Sequence, residues 1–437
     1  MSSGKPAVVV IGCGFGGLEA VRALSKAEVE ITLVDRTNHH LFQPLLYQVA
    51  TAGLSAPAVS APIRHTLRPE MRRGNLTVLQ AEVTGVDTAG RRVLLEGGDA
   101  LPYDHLIVAA GATHSYFGHD DWAPHAPGLK TLADAFAIRA RVIGAFERAE
   151  RFASDAEREP WMNFVVIGGG PTGVEMAGTM IEFAQHTLPM EFRRIDSTRA
   201  RVVLLEGSER VLGSFVPQLS EKARRQLARL GVDVRTGARV TAIDADGVTY
   251  ETREGGGTVS HRVRSKTVIW AAGVAGVPLG RALAERTGAT LDRAGRLVVE
   301  PDLSLPGHPE IAVIGDLASA RSHGKGEPTP VPGVSPAAKQ MGRTAAANLK
   351  RRLRGEPTRP FRYIDYGNLA TIGRKAAVVD LSVPRLGALR FSGLPAWLFW
   401  LFAHIYFLIG FRNRLIVMID WAWAYWTYER HARVVAE

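Results

Sequence analysis

The sequence predicts an α/β fold made of two copies of one Rossmann-like βαβ plan, followed by a helical C-terminal segment that meets a membrane surface. Three observations predict it: a glycine-rich turn that occurs twice, a further strand that matches in each copy, and a tail holding five of the eight tryptophans. The chain has 437 residues, room for two to four domains at roughly 100–200 residues each. At 46% hydrophobic and 22% charged, it is neither a disordered chain nor a collagen-like repeat. Net charge is +10, which suggests an anionic partner: nucleic acid, a membrane surface or phosphate-bearing ligands. A single cysteine, Cys13, excludes an intramolecular disulfide, a CxxC redox pair and a cysteine-ligated zinc or iron–sulfur site. The apolar run at residues 7–11 is too short for a signal peptide, so a cytoplasmic body is expected.

The repeat carries the organisation. Val9-Val10-Ile11-Gly12-Cys13-Gly14-Phe15-Gly16-Gly17 matches Val165-Val166-Ile167-Gly168-Gly169-Gly170-Pro171-Thr172-Gly173 at an offset of 156 residues. Ile31-Thr32-Leu33-Val34-Asp35 then matches Val202-Val203-Leu204-Leu205-Glu206, and Val108-Ala109-Ala110-Gly111 matches Trp270-Ala271-Ala272-Gly273. Each copy reads as a strand, a GxGxxG turn and a helix. The first glycine permits the tight turn, the second lets the backbone approach a pyrophosphate, and the third allows close helix–strand packing. Asp35 lies 23 residues after Gly12 and Glu206 lies 38 after Gly168, each placed to accept from ribose hydroxyls. The extra length falls at 187–198, where a longer helix and return loop are expected. Glu206 would repel a 2′-phosphate and favour NADH over NADPH, with Arg210 near enough in sequence to counter it.

Two dinucleotides suggest one tightly held flavin and one exchangeable nicotinamide. Ile311-Ala312-Val313-Ile314-Gly315-Asp316 reads as a buried strand ending in Gly-Asp, with a helix following near Ser335–Leu353. These placements predict a discontinuous flavin domain at 1–159 and 286–355, a nicotinamide domain at 160–285, and a small sheet plus amphipathic anchor helices at 356–437.

With these elements in place, the chain resembles the type II NADH dehydrogenases, single-subunit NADH:quinone oxidoreductases of the flavoprotein disulfide-reductase fold type. The specific stretches are Asn38-His39-His40-Leu41-Phe42-Gln43-Pro44-Leu45-Leu46-Tyr47-Gln48-Val49-Ala50, the segment from Gly170 to Glu175, and Gly333-Val334-Ser335-Pro336-Ala337-Ala338-Lys339-Gln340. The resemblance implies noncovalent FAD, NADH as donor, a membrane quinone as acceptor and no proton pumping. It assigns Gly12, Gly14, Phe15, Gly16, Gly17, Asp35, Arg36, Pro44, Ala110, Gly111, Gly315, Asp316 and Ala337 to FAD. It assigns Gly168, Gly170, Pro171, Thr172, Gly173, Glu206, Ala272 and Gly273 to NADH. The family's Ala-Gln-x-Ala-x-Gln quinone pattern falls on 335–340, with Ser335 for the alanine, Pro336 for the first glutamine and Gln340 for the second. Pro336, Lys339 and Gln340 are thus the expected quinone contacts. Glu175 matches a glutamate near nicotinamide and flavin, so Glu175 and Gln340 are the expected catalytic pair. The bland reading of Glu175 is an acid in the first turn of its helix, favoured by the macrodipole, as Glu19 would be in the first copy.

In the tail, 394–411 holds no formal charge, Arg412 and Arg414 interrupt, and 415–428 is again apolar around Asp420. The first run is at the lower edge for spanning a bilayer and the second too short. Tryptophans beside arginines suit an interface, so two helices lying in one leaflet are expected, with Arg390, Arg412, Arg414, Arg430 and Arg433 toward lipid. That places the protein on the cytoplasmic face of the inner membrane, with a homodimer open. Paired strands are expected at 367–373 and 376–380. Arg64, Arg68, Arg72 and Arg73 read as a solvated helix face. The histidines show no metal-site spacing, so no metal is expected. The alternatives are a soluble reductase of ferredoxin or rubredoxin, and a membrane-bound NADH-sensing scaffold.

Overall fold

The computed structural model describes residues 4–324, 326–383 and 387–435. The chain divides into two compact units: Met1–Leu41, Ser60–Thr113 and Val274–Asp365 in one, and Phe42–Val59, His114–Gly273 and Tyr366–Glu437 in the other. The long helix Leu132–Arg151, placed by sequence in the flavin half, belongs to the second unit, where it packs on Asp155–Met162 and Leu46–Ala50.

The first unit is built on a six-stranded sheet. In spatial order its strands are Ser304–Leu305, His308–Val313, His105–Val108, Ala7–Ile11, Glu30–Asp35 and Leu76–Gln80. Only the Ser304–Leu305 edge is antiparallel. Ala7–Ile11 is central: Ile11 pairs in register with Val34 on one side and Val108 on the other. Strand order therefore reverses at its carboxyl end, the place where open α/β sheets bind ligands. Val8, Val9 and Val10 are buried because a central parallel strand is covered on both faces.

The second unit repeats that order in a four-stranded parallel sheet: Val232–Arg235, Arg201–Leu205, Asn163–Ile167, Thr267–Trp270. Ile167 pairs with Leu205 and Trp270, as Ile11 does with its two neighbours. The repeat extends further than the three matched segments. Each unit also carries a three-stranded antiparallel meander, Val83–Asp87 to Ala100–Pro102 in the first and Arg239–Asp244 to Gly257–Arg264 in the second. Sequence comparison misses this because meander strands share only alternation, with no fixed residue. The added length after Glu182 becomes one wide helical turn, Phe183–Thr187, and a loop.

The tail forms a three-stranded antiparallel sheet, Asn368–Gly373, Ala376–Val383 and Gly387–Ser392, one strand more than the sequence suggested. Two helices follow, Leu394–Phe407 and Phe411–Thr427. The apolar run thus breaks at Leu408–Gly410, before the arginines, and Arg412 and Arg414 fall in the first turn of the second helix. Gly410 at φ 82° supplies the break. Among the described residues no helix is long and apolar enough to cross a membrane.

Candidate functional site

The two glycine turns repeat at atomic detail. A Cβ on Gly17 would lie 1.8 Å from Gly12 O, and one on Gly173 would lie 1.8 Å from Gly168 O, so both third glycines are fixed by backbone packing. A Cβ on Gly14 or Gly170 would meet nothing within 4 Å. The middle glycine of each turn therefore leaves backbone open to a ligand. Gly14 and Gly170 cap the helices Phe15–Leu24 and Pro171–Glu182 in extended conformation without a side-chain cap, leaving first-turn amides for an anion. The residues present fit a dinucleotide pyrophosphate in each unit.

The acidic partners are held alike. Asp35 Oδ2 accepts from the Cys13 N–H at 2.6 Å, and Oδ1 accepts from the Thr37 N–H and hydroxyl at 2.7 and 2.8 Å. Glu206 Oε2 accepts from the Gly169 N–H, and Oε1 accepts from the Ser208 N–H at 2.7 Å and its hydroxyl. Thr37 and Ser208 escaped sequence reading. Their signal is an acid followed two residues on by a hydroxyl, in both copies. Arg210 donates to Gly213 O at 3.3 Å, within its own loop.

In the first unit, His40 contacts Cys13 O through Nδ1 at 2.8 Å and meets Phe15 edge-on, bracing the turn. Burial lowers its pKa to about 4, so it is neutral at pH 7 and no cation. Burial, then the Asp35 charge, pushes the Cys13 thiol far up, leaving it unreactive. Gly111 and Gly315 take φ of 76° and 72° at the ends of their strands, and Asp316 follows in a short turn beside Gly333. Ala337 is buried on the helix Ser335–Leu353, with Pro336 in its first turn. Arg36 is exposed, Ala110 half-buried. Pro44 falls in the other unit, in the turn Gln43–Leu45. Lys339 lies 5.1 Å from the centre of the Phe15 ring, and burial lowers its pKa. Gln340 is engaged at both ends of its amide: Nε2 donates to Ile364 O at 3.0 Å and Oε1 accepts from Ile364 N–H at 2.8 Å. Arg64, Arg68, Arg72 and Arg73 are all exposed, as expected, with Arg64 also donating to Val78 O and Arg73 to the Ser25 hydroxyl. Two short helices, Ile63–Thr66 and Arg68–Met71, replace the single one that would have aligned the four arginines.

In the second unit, Glu175 is the fifth residue of its helix, beyond the first turn, which holds no acid. The macrodipole reading loses its ground there. Glu19 and Glu175 also part company. Glu19 pairs with Arg343 at 2.8 Å, whereas Glu175 is buried and accepts from the Thr371 N–H at 3.3 Å. Burial raises the Glu175 pKa to about 8, with Thr371 and the Trp400 indole pulling the other way. Its carboxyl is therefore mainly protonated at neutral pH. Ala272 and Gly273 end the Thr267–Trp270 strand, Gly273 at φ 75°.

Thr371 and Trp400 line a cavity of about 780 Å³ whose wall is mostly aromatic and aliphatic, with residues of both tail helices. Tyr47, Gln48, Glu182, Arg374 and Arg430 form its polar part. Gln48 Nε2 donates to the Tyr47 hydroxyl at 2.9 Å, and Gln48 Oε1 accepts from the Trp421 indole at 2.8 Å. Glu182 accepts from the Arg374 N–H, and burial raises its pKa. Of these only Arg430 was singled out from sequence, and for lipid rather than for a cavity, although Tyr47 and Gln48 lie in the most specific stretch.

Two of the five arginines expected at lipid are tied to protein groups. Arg430 is largely enclosed, donating to Thr51 O at 2.8 Å and Thr179 O at 3.3 Å, and Arg433 pairs with Glu191. Arg390 pairs with Asp380 at 2.9 Å and Arg414 donates to Leu408 O at 2.9 Å, both partly exposed, while Arg412 stays exposed. The chain after Thr427 turns back onto the body through Tyr428 at φ 61°, which carries Arg430 inward. Leu398, Phe402, Tyr406, Phe411, Ile419 and Trp426 nevertheless remain more than half exposed.

Residues 6–342 match the pyridine nucleotide-disulphide oxidoreductase family, and residues 366–427 match the NDH2 C-terminal domain. The chain is 45% identical to the type II NADH:quinone oxidoreductase Ndh of Mycobacterium tuberculosis, over 95% of this chain and 87% of that one. It is 44% identical to NdhA of the same organism, over 96% and 89%. The NDH2 of Plasmodium falciparum, solved in complex with NADH, shares the fold at a TM-score of 0.85 and 20% identity, covering 99% of this chain and 100% of that one.

Proposed function

The chain belongs to the pyridine nucleotide-disulphide oxidoreductases and, within them, to the type II NADH:quinone oxidoreductases, and we propose how its residues carry electron transfer from NADH to a quinone. FAD, when bound, supplies the hydride acceptor and the two-electron donor. In the first unit Gly12, Gly14, Phe15, Gly16 and Gly17 hold its pyrophosphate, Asp35 its ribose, and Gly315 and Asp316 the ribityl side, with Arg36, Ala110, Gly111 and Ala337 around it. In the second unit Gly168, Gly170, Pro171, Thr172 and Gly173 hold the NADH pyrophosphate, Glu206 its ribose, and Ala272 and Gly273 the strand-end backbone beside it. Glu206 favours NADH because a 2′-phosphate would meet its charge.

The observation that carries the acceptor assignment is the apolar cavity lined by Thr371, whose N–H donates to the Glu175 carboxyl, a group whose pKa burial raises to about 8. Such a space suits a ring with an isoprenoid chain, and a proton held at Glu175 is available to a carbonyl being reduced. In the first unit Gln340 is proposed as a quinone contact, with Lys339 and Pro336. To reach a quinone carbonyl, the Gln340 amide must exchange its two bonds to Ile364. The exposed apolar face of the tail helices supports peripheral attachment to a membrane, with Arg412 at the headgroups. The cytoplasmic side of the inner membrane and a homodimer complete the proposal, read by protease access in sealed vesicles and by light scattering.

The test is direct. Purified, FAD-loaded protein is reduced anaerobically with NADH and then given a short-chain quinone. Bleaching of the flavin band and rapid recovery are expected. Bleaching without recovery would favour a reductase of ferredoxin or rubredoxin, and no bleaching would favour a scaffold.

A further inference from the structure

We infer that Arg430 is a positioning residue for the quinone half of the reaction. It clamps the short helix bearing Tyr47 and Gln48 to the helix bearing Glu175 and Glu182. The inference rests on the reading that the 780 Å³ cavity receives the acceptor.

The geometry is a fork. One arm of the guanidinium donates to Thr51 O, at the carboxyl end of Leu46–Ala50, and the other donates to Thr179 O, inside Pro171–Glu182. The Phe183 ring covers the guanidinium, its centre 5.2 Å away. A five-residue helix cannot hold its own orientation, since helix formation has a costly nucleus and few internal bonds at that length. Its place is set by what packs on it, the helix Leu132–Arg151 along its length and the donor bound at its last turn. Arg430 is that donor, and it arrives from the far end of the chain.

Arg430 lines two cavities at once. One is the aromatic space with Tyr47, Gln48 and Glu182; the other is a space of about 450 Å³ with Glu147, Glu191 and Arg433. It therefore stands as the wall between them. Glu182 and Tyr47 are the groups whose charge favours its cation, and Arg374 opposes it. Burial brings its pKa down to about 10, so it stays charged at neutral pH. A lysine would keep the charge but lose the planar fork that reaches two carbonyls.

The experiment uses the full-length, FAD-loaded enzyme and variants R430Q, R430K and R433Q, with NADH and a short-chain ubiquinone analogue. R430Q is expected to raise the KM for the quinone by about tenfold, with flavin bleaching by NADH within about twofold of wild type. R430K should recover part of that loss. R433Q removes the Glu191 pair but not the clamp and should leave both half-reactions within about twofold. Unchanged quinone kinetics in R430Q would overturn the inference, as would equal slowing of both half-reactions. So would R433Q matching R430Q, because then any loosening of the tail suffices. If R430Q does not yield loaded protein, R430K decides: a wild-type KM overturns the clamp. If wild-type flavin is not reoxidised by quinone, the cavity reading itself has failed, and that shows before any variant is made.

Discussion

The Trp421 indole donates to Gln48 Oε1 at 2.8 Å, joining residues 373 apart in sequence and making a tail helix part of the cavity wall. Trp421→Phe keeps most of the ring and removes that donor. Leaving Gln48 without its partner should lower stability by about 1 kcal/mol and raise the quinone KM several-fold. Thermal unfolding and steady-state kinetics with a short-chain quinone measure the two effects. A quinone KM equal to wild type would separate Gln48 from acceptor binding.

Glu175 predicts a pH dependence of definite sign. Its folded pKa, about 8, lies above the unfolded value near 4.5, so between those values the native state binds more protons than the unfolded one. Its contribution to stability is fully present below about pH 4.5 and is lost as pH rises through 8. Glu175→Gln should remove this slope, so that the variant gains on wild type from pH 5 to 8 in parallel thermal melts. Quinone reduction by wild type should also fall above about pH 8, where the proton is gone, and the variant should lack that limb. Superimposable pH curves for the two proteins would rule the carboxyl out of both roles.

The paired glycines offer a contrast within one turn. Gly17→Ala places a methyl 1.8 Å from Gly12 O, an overlap that only backbone movement relieves. A loss above about 3 kcal/mol and flavin-free protein are expected. Gly14→Ala meets no protein atom within 4 Å, so the apo fold should unfold within about 0.5 kcal/mol of wild type while flavin affinity drops at least about tenfold. The ratio of flavin to protein absorbance, beside calorimetry of apoprotein, distinguishes them. Full flavin content in Gly14→Ala would contradict the open-backbone role.

Glu206→Gln tests the second nucleotide site. Removing the charge, while the one amide oxygen still accepts from either Gly169 or Ser208 but not from both, should raise kcat/KM for NADPH relative to NADH by about tenfold, or ~1.4 kcal/mol. Competition between the two nucleotides at fixed quinone reads the ratio. No change would move the discrimination to another residue.

The sequence made one kind of feature legible and hid another. Gly12, Gly17, Gly168 and Gly173 were readable because local backbone geometry demands each at fixed spacing, and Gly14 and Gly170 because they complete the same repeated turn. Asp35 and Glu206 were readable because each acid ends the strand that follows its turn. The polar end of the cavity was not, because Tyr47, Gln48, Glu182, Arg374 and Arg430 come from four separated segments and no spacing links them. The protein partners of Arg430 and Arg433 were hidden because composition near tryptophans carries no information on which way the chain turns after Thr427. The helix break at Gly410 was hidden by an apolar run that continues through it. Gln340 was visible as a residue type, but its two bonds to Ile364 depend on where the chain returns 24 residues later.

The central claim is that electrons enter from NADH and leave to a quinone through this one chain. Anaerobic stopped-flow absorbance at the flavin band tests it most directly, with NADH in the first mix and a short-chain quinone in the second. The account predicts full bleaching, then recovery that is rapid in wild type and slowed in Trp421→Phe and Arg430→Gln. A flavin that bleaches and stays reduced with saturating quinone would contradict it.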